Sequence, residues 1–219
     1  MNEKVARESA GKLAVKGWKV VAVAVDVSDA AQVEAMTTYA VSTYGSLDIL
    51  VNNAGIYPEI PMMDIDEKQF QKILDVNLKG VFLCTKAAAT QMIKQGSGRK
   101  IINITSVDAL HPSMVGLATY DATKHGVWGF TKNTALELAP HKIWVNAIAP
   151  GGVNTPGTGV GRVSARELDE ATKSFREKIP MKRMGEPDDI GKVALFLASE
   201  LASYMTGEQI VVDGGVLLA

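Results

Sequence analysis

The sequence has little of what several protein classes require. Its 219 residues include one cysteine, Cys84, and three histidines. A single cysteine excludes an internal disulfide and leaves no set of thiolates for a structural zinc site. Because Cys84 lies within the mostly apolar stretch Val81–Ala89, we interpret it as a buried helical residue rather than a nucleophile. We predict no metal site.

An excess of charge of one sign is also absent. The chain has 23 Lys and Arg, 24 Asp and Glu, and a formal net charge of -1. It therefore lacks the electrostatic attraction that nucleic acids and anionic membranes require. No apolar run approaches the roughly 18 residues of a membrane helix, and the polar segment Met1–Lys12 is unlike a signal peptide. We expect a soluble, cytoplasmic protein with no nucleic-acid or membrane partner.

Short apolar runs alternate with helix-like segments along the whole chain. The predicted strands are Lys19–Val25, Leu47–Asn53, Arg99–Thr105, Ile143–Ala149 and Gln209–Asp213. The predicted helices cover residues 3–16, 29–44, 66–95, 120–138, 164–178 and 187–199. This alternation predicts one α/β domain over residues 1–219, with a parallel sheet covered by helices on both faces. Ligands of such sheets bind beyond the carboxyl ends of the strands.

The stretch Ser106–Lys124 carries the strongest chemical pattern. Tyr120 and Lys124 are four residues apart at the start of a predicted helix, so their side chains share one face. An ammonium beside a phenol stabilises the phenolate, so we expect Lys124 to lower the pKa of Tyr120 and make it a general acid/base. Ser106, which ends the preceding strand, could hold a substrate oxygen beside the phenol. Taken alone, this spacing is more typical of a surface tyrosine and a solvated lysine.

Further motifs surround that pair. They are N-N-A-G at Asn52–Gly55, V-N-L-K-G at Val76–Gly80, I-T-S at Ile104–Ser106, Y-D-A-T-K at Tyr120–Lys124, P-G-G-V-N-T at Pro150–Thr155 and T-G-E-Q-I-V-V-D-G-G at Thr206–Gly215. With these motifs in this order, the chain closely resembles the short-chain dehydrogenase/reductases over essentially its whole length. The resemblance implies a Rossmann-like sheet and hydride transfer between NAD or NADP and a secondary alcohol or ketone.

The resemblance also implies a role for each motif residue. Tyr120 would be the general acid/base, Lys124 would lower its pKa and bind the nicotinamide ribose, and Ser106 would hydrogen-bond the substrate oxygen. Asn77 would hold a water that links Lys124 to solvent. The implied cofactor contacts are Asp26 and Val27 at the adenine, Asn53, Ala54 and Gly55 behind the adenosine ribose and diphosphate, Pro150, Gly151, Val153 and Thr155 at the nicotinamide, and again Tyr120 and Lys124.

The substrate is indicated by a looser likeness. The loop after Ser106, S-V-D-A-L-H-P-S, is similar to that of sugar and polyol dehydrogenases of the family, so we expect a sugar or polyol as the small-molecule substrate. Asp108 and His111 could reach its hydroxyls, although an ordinary polar loop explains both residues equally well.

The segment Asn154–Met184, which contains a capping box at Ser164–Glu167, could form a lid over the ligand. In the family that the chain resembles, the last strand and the two long helices form twofold interfaces, so the resemblance implies a homo-oligomer, a dimer or a tetramer.

One part of the family pattern has no match. The family opens with a βαβ unit whose turn, T-G-x-x-x-G-x-G, holds the pyrophosphate, and the early glycines Gly11 and Gly17 do not fit this turn. We therefore expect a sheet that lacks the family's first two strands, a domain incomplete at its N-terminus, and weak or absent cofactor binding. Three explanations would each account for this: a truncated sequence of a complete enzyme, a genuinely short protein, or a partner that supplies the missing edge of the sheet.

Two alternatives to a dehydrogenase remain. A catalytically silent family member, kept as a structural or regulatory subunit, agrees with the missing turn but not with the complete tetrad. A cofactor-independent lyase resembling the halohydrin dehalogenases would pair Ser and Tyr with Arg, whereas this chain has Lys124.

Overall fold

Four strands form one parallel sheet. The computed structural model describes residues 3–96, 98–155 and 173–219. Within these ranges the strands are β1 (Ile49–Asn52), β2 (Arg99–Ile104), β3 (Ile143–Pro150) and β4 (Gln209–Val212), hydrogen-bonded in the order β1-β2-β3-β4. The predicted parallel α/β architecture is confirmed, and four of the five predicted strands are present with shifts of one or two residues at their ends.

Helices connect the strands. They are α1 (Glu3–Ala14), α2 (Ala30–Tyr44), α3 (Glu67–Leu74), α4 (Gly80–Gln95), α5 (Ala118–Leu138) and α6 (Pro187–Ala198), and residues 173–178 are also helical. A π-helical turn, Asp75–Lys79, joins α3 to α4 within the segment predicted as one long helix. The predicted capping box at Ser164–Glu167 and most of the predicted lid lie outside the described residues.

Helices cover both faces of the sheet. Ile101 of β2 packs in one cluster with Met92 of α4 and Ala135 of α5, and the next residue, Ile102, packs with Leu197 of α6. Successive residues of a strand point to opposite faces, so α4 and α5 lie on one side and α6 on the other. This arrangement leaves the carboxyl ends of the strands accessible, which is where ligands of parallel sheets bind.

The prediction of a strand at Lys19–Val25 is wrong. The segment makes no strand pairing in the structure. Val25 is buried in a cluster with Val33 and Cys84, whereas Val21 and Val23 are 43% and 40% exposed. The apolar composition suggested burial on both faces, but a strand also needs a hydrogen-bonding neighbour. Among the described residues no strand is hydrogen-bonded to this segment.

The β1 edge of the sheet is open. Within the described ranges β1 pairs with β2 alone. Ile49 and Val51, which share the α6 face with Ile102 of β2, are each 45% exposed, and α1 has no buried residue. An apolar strand with unpaired backbone groups is a template for pairing with another chain. None of the described helices has the length and apolar character needed to cross a membrane.

Candidate active site

The carboxyl ends of the strands bring most of the predicted site residues to one edge of the sheet. Asn53–Gly55 follow β1, Ser106 follows β2 within two residues, and Pro150 ends β3. The first two turns of α5 add Tyr120 and Lys124 to this edge. Because parallel strands end on the same side, residues far apart in sequence meet there.

Ser106 is fixed by its own turn. It caps the 3-10 helix Val107–Ala109 and is 7% exposed. Its hydroxyl donates to Oδ2 of Asp108 at 2.9 Å and accepts the Asp108 backbone N–H at 3.2 Å. The serine side chain is therefore oriented by one residue of the loop that was predicted to contact substrate.

The phenol of Tyr120 is not acidified in this structure. Burial raises the pKa of Tyr120 to about 12, a hydrogen bond with Ser106 lowers it in part, and the carboxylates of Asp108 and Asp121 raise it. The net shift is therefore upward because burial dominates, whereas we expected Lys124 to lower this pKa. Sequence spacing shows that the two side chains share a face, but it does not show how far the phenol is removed from water.

Lys124 is buried beside the phenol. Its Nζ donates to the carbonyl of Ile104 at 2.8 Å and lies 5.5 Å from the centroid of the Tyr120 ring. Burial lowers the pKa of Lys124 to about 8, and the charge of Asp108 opposes that shift. A lysine with this pKa gains and loses a proton near neutral pH, which is the property that a proton-transfer group needs.

Asn77 ties three parts of the site together. It lies in the π-helical turn, a feature frequent at functional sites, and is 1% exposed. Its side chain accepts the Ile56 N–H at 2.8 Å, donates to the Ile56 carbonyl at 2.8 Å, and donates to Thr123 Oγ1 at 3.2 Å. Asn77 therefore joins the loop after β1 to α5. Its predicted water-holding role remains a prediction.

Gly55 has no side chain to occupy the space beside Asn77 and Lys124. A Cβ at Gly55 would lie 3.5 Å from Asn77 Oδ1 and 3.9 Å from Lys124 Nζ. One of the three N–H donors of Lys124 is given to Ile104. A ribose bearing two hydroxyls suits the remaining donors and the bare backbone at Gly55, so the residues present fit the nicotinamide half of a dinucleotide.

Three of the five residues predicted for the adenosine half of the cofactor line one groove, and Asp26 and Gly55 are not among its lining residues. Val27, Asn53, Ala54 and Gly80 are among the residues that line it, and its volume is about 140 Å³. Asp26 faces the neighbouring surface, where its carboxylate accepts hydrogen bonds from the backbone and side chain of Ser28. These bonds lower the pKa of Asp26.

The predicted nicotinamide-side residues run along the end of β4. The Gly151 N–H donates to the Val212 carbonyl at 3.0 Å, and a Cβ at Gly151 would lie 2.8 Å from Asp213 Cβ. Val153 forms an isolated bridge with Gly185, and Pro150 and Thr155 are half-buried at the two ends of this segment. The segment therefore borders the edge that holds Ser106 and Tyr120.

The two predicted substrate residues differ in position. Asp108 is half-buried against Ser106, whereas His111 is exposed, with its Nδ1 2.8 Å from the Pro112 carbonyl. The sequence reasoning missed Tyr57, whose ring packs edge-on against Tyr120 with centroids 6.0 Å apart. An aromatic residue two positions after the strand-end glycine was the available signal.

The described ranges contain no group of three or more His, Cys, Asp or Glu side chains that could hold a metal ion. Burial raises the pKa of the Cys84 thiol, which is 5% exposed within α4, as predicted for a structural cysteine. The polar groups that remain for chemistry are therefore a phenol, an amine, a hydroxyl, an amide and a carboxylate.

Comparison with known proteins identifies related chains. A family model described as enoyl-(acyl carrier protein) reductase matches residues 1–217. The 3-oxoacyl-(acyl-carrier-protein) reductase FabG of Staphylococcus aureus (strain Mu50) is 42% identical over 207 residues, which cover 94% of this chain and 81% of that relative.

Two crystal structures are similar over the whole chain. A short-chain type dehydrogenase/reductase from Mycobacterium marinum is 35% identical with a TM-score of 0.91, and the match covers 100% of this chain and 84% of that one. A gluconate 5-dehydrogenase from Burkholderia cenocepacia J2315, solved with NADP and tartrate, is 32% identical with a TM-score of 0.89 and coverages of 100% and 83%.

Proposed function

The chain belongs to the short-chain dehydrogenase/reductase family, and we propose that it transfers a hydride between NAD or NADP and a secondary alcohol or ketone. The observation that carries this proposal is the meeting of Ser106, Tyr120 and Lys124 at the strand edge, with Asn77 bonded behind them. Oxidoreductases among the relatives support the same class of reaction.

Each of these side chains has one task in the proposed reaction. When bound, the nicotinamide supplies or takes up the hydride. Ser106 holds the reacting oxygen, and Tyr120 gives a proton to it or takes one from it. Lys124 binds the ribose hydroxyls and, with a pKa of about 8, passes protons at neutral pH. Asn77 joins the loop at Ile56 to Thr123, the residue before Lys124.

The cofactor would lie across the strand ends. We propose that Asp26, Val27, Asn53, Ala54 and Gly55 hold its adenosine half, and that Pro150, Gly151, Val153 and Thr155 flank the nicotinamide. The groove shared by Val27, Asn53 and Ala54 supports the first assignment. The position of Gly55 before Asn77 and Lys124 supports the approach of the ribose.

We propose a sugar or polyol as the substrate and a homo-oligomer, a dimer or tetramer, as the assembly. The gluconate 5-dehydrogenase relative supports a polyhydroxylated substrate, and Asp108 offers a carboxylate to its hydroxyls.

Light scattering at micromolar concentration tests the proposed homo-oligomer, since a monomer contradicts it. Deletion of residues 164–178, the helix predicted from the sequence, tests the proposed lid: we expect loss of substrate affinity with cofactor binding intact, and unchanged kinetics would exclude the lid.

A catalytically silent subunit is the second candidate. The sequence has no T-G-x-x-x-G-x-G turn, and within the described ranges β1 pairs with β2 alone. These two facts support a sheet without the family's first two strands and a weakened site for the cofactor diphosphate. They favour a catalytically silent subunit, whereas the complete set of Asn77, Ser106, Tyr120 and Lys124 favours the enzyme.

Calorimetric titration with NADH and then NADPH separates the two candidates. Micromolar binding of either cofactor, followed by turnover of a sugar, polyol or ketone that Tyr120→Phe abolishes, would establish the enzyme. Binding that is absent at millimolar cofactor, with the protein shown to be folded by circular dichroism, would favour the silent subunit.

A further inference from the structure

The geometry points to Asp108 as a positioning residue that decides whether Ser106 meets the reacting oxygen as a hydrogen-bond acceptor or as a donor. The inference rests on the proposed function, because it concerns the serine that would hold the substrate oxygen. It goes beyond contact between Asp108 and substrate hydroxyls, because here the Asp108 carboxylate orients the Ser106 hydroxyl.

The hydrogen bonds of Ser106 show which group receives its hydroxyl proton in this structure. A hydroxyl has one proton to give and two lone pairs. An ionised carboxylate only accepts, so the 2.9 Å contact directs the Ser106 proton to Asp108 Oδ2. One lone pair accepts the Asp108 N–H at 3.2 Å. The second lone pair remains for the reacting oxygen or for the Tyr120 hydroxyl, whose pKa the Ser106 hydroxyl lowers.

The protonation state of Asp108 then decides which substrate Ser106 can hold. With the carboxylate ionised, Ser106 offers a lone pair, which matches an alcohol O–H but not a ketone oxygen. A protonated Asp108 can donate its own O–H to Ser106, and this frees the serine proton for a ketone oxygen. The proton that Asp108 takes up comes from solvent and remains on the carboxyl group.

Groups from each neighbouring segment act on Asp108. Burial raises the pKa of Asp108, and the Ser106 hydroxyl lowers it. From α5, Asp121 raises this pKa and Lys124 lowers it, and from its own loop His111 lowers it. The net direction is upward, so the carboxyl group changes charge closer to neutral pH than an exposed aspartate does.

A titration of Asp108 by carboxyl carbon NMR tests the bond without any turnover. In Ser106→Ala the carboxylate loses a donor, so the pKa of Asp108 should rise above that of the unchanged protein. Ser113→Ala is the matched control, because Ser113 donates to Asp121 at 2.8 Å. It should leave the titration of Asp108 where it was. An unchanged Asp108 titration in Ser106→Ala would overturn the inference.

Binding of two unreactive probes tests the consequence. A tertiary alcohol, 2-methylbutan-2-ol, has an O–H to donate but cannot be oxidised, and a tertiary amide, N,N-dimethylacetamide, has only an acceptor. In Asp108→Asn the side-chain N–H of the new asparagine can donate to Ser106 at every pH. NMR titration gives the dissociation constants of the two probes, and their ratio measures the preference for the alcohol probe over the amide probe. We expect this preference to be roughly tenfold smaller in Asp108→Asn than in the unchanged protein, the effect of one hydrogen bond. At a pH where Asp108 is already ionised, Asp121→Asn should keep the ratio, because loss of a charge that raises the pKa of Asp108 leaves Asp108 ionised.

The outcomes are separable. Coupling of Ser106 to Asp108 without turnover of any alcohol or ketone would refute the proposed function and leave the pair standing. Turnover with an alcohol-to-amide ratio that Asp108→Asn does not change would overturn the inference and leave the function. In the unchanged protein, lowering the pH through the titration of Asp108 should reproduce the effect of the Asn variant.

Discussion

Lys124 Nζ and the backbone carbonyl of Ile104 are joined by a 2.8 Å hydrogen bond that runs from α5 to the end of β2. The bond fixes the ammonium beside Gly55 and Asn77 before any ligand arrives. The pKa of Lys124 is low because burial disfavours the charged form, and the charge of Asp108 opposes that shift.

A buried lysine makes stability depend on pH. The pKa of Lys124 falls from 10.5 to about 8 on folding, so between these values the unfolded chain binds more protons and stability rises with pH. Relative to Lys124→Met, the intact protein should gain about 2 kcal/mol of unfolding free energy from about pH 7.5 to 9.5. Urea unfolding at several pH values measures this gain.

Two features make that test specific. The raised pKa of Tyr120, about 12, acts in the opposite direction only above about pH 10, outside the chosen window. Lys132→Met is the control, because Lys132 is exposed on the same helix beside Trp128. Parallel stability curves for Lys124→Met and Lys132→Met would contradict the buried ammonium.

Tyr120→Phe should remove proton transfer without removing binding. The phenol packs against Tyr57 through its ring, which phenylalanine retains. We expect kcat to fall by roughly 10²–10⁴, the usual contribution of a general acid/base, with little change in the dissociation constant of the cofactor. Tyr204→Phe is the control because Tyr204 is fully exposed. Equal turnover of the two variants would show that Tyr120 does not transfer the proton.

Asn77→Ala should destabilise the fold as well as the site. The change leaves the N–H and carbonyl of Ile56 without the partner that each has at 2.8 Å. Two such losses should cost about 2–4 kcal/mol of unfolding free energy, measured in urea. Asn133→Ala, at an exposed position of α5, should change it by less than about 0.5 kcal/mol. Similar values for both variants would mean that the Asn77 bonds contribute nothing.

The sequence predicted what depends on local pattern and failed where a distant neighbour decides. The apolar run at Ile143–Ala149 is a strand because β2 and β4 pair with it, whereas Lys19–Val25 has a similar composition but no strand pairing among the described residues. Spacing placed Tyr120 and Lys124 together. It could not give the sign of the Tyr120 shift, because burial is a property of the tertiary fold.

The open edge of β1 should control aggregation. Ile49 is 45% exposed on a strand that pairs on one side within the described ranges. Because a charge on an edge strand opposes pairing with another chain, Ile49→Lys should raise the monodisperse fraction seen by light scattering. Leu136→Lys, at a helical position that is 77% exposed, is the matched control. Equal aggregation of Ile49→Lys and the unchanged protein would show that this edge is not the associating surface.

Gly80 marks the closest contact between α4 and the segment that leads into α2. A Cβ at Gly80 would lie 2.7 Å from Val27 Cγ2, a separation at which one of the two must move. We expect Gly80→Ala to lower the unfolding free energy by about 1–3 kcal/mol, because Val27 is β-branched and half-buried. Since Val27 also lines the groove proposed for adenine, cofactor affinity should fall in parallel.

A second substitution separates this clash from the loss of glycine itself. Val27→Ala removes both Cγ atoms, so in the double variant the cost of Gly80→Ala should largely disappear, and the coupling is read from the double-mutant cycle. Gly129→Ala, at a helical position with nothing within 4 Å of the added Cβ, should instead stabilise by up to about 1 kcal/mol. Equal costs of Gly80→Ala with and without Val27 would mean that the contact does not hold these two segments in place.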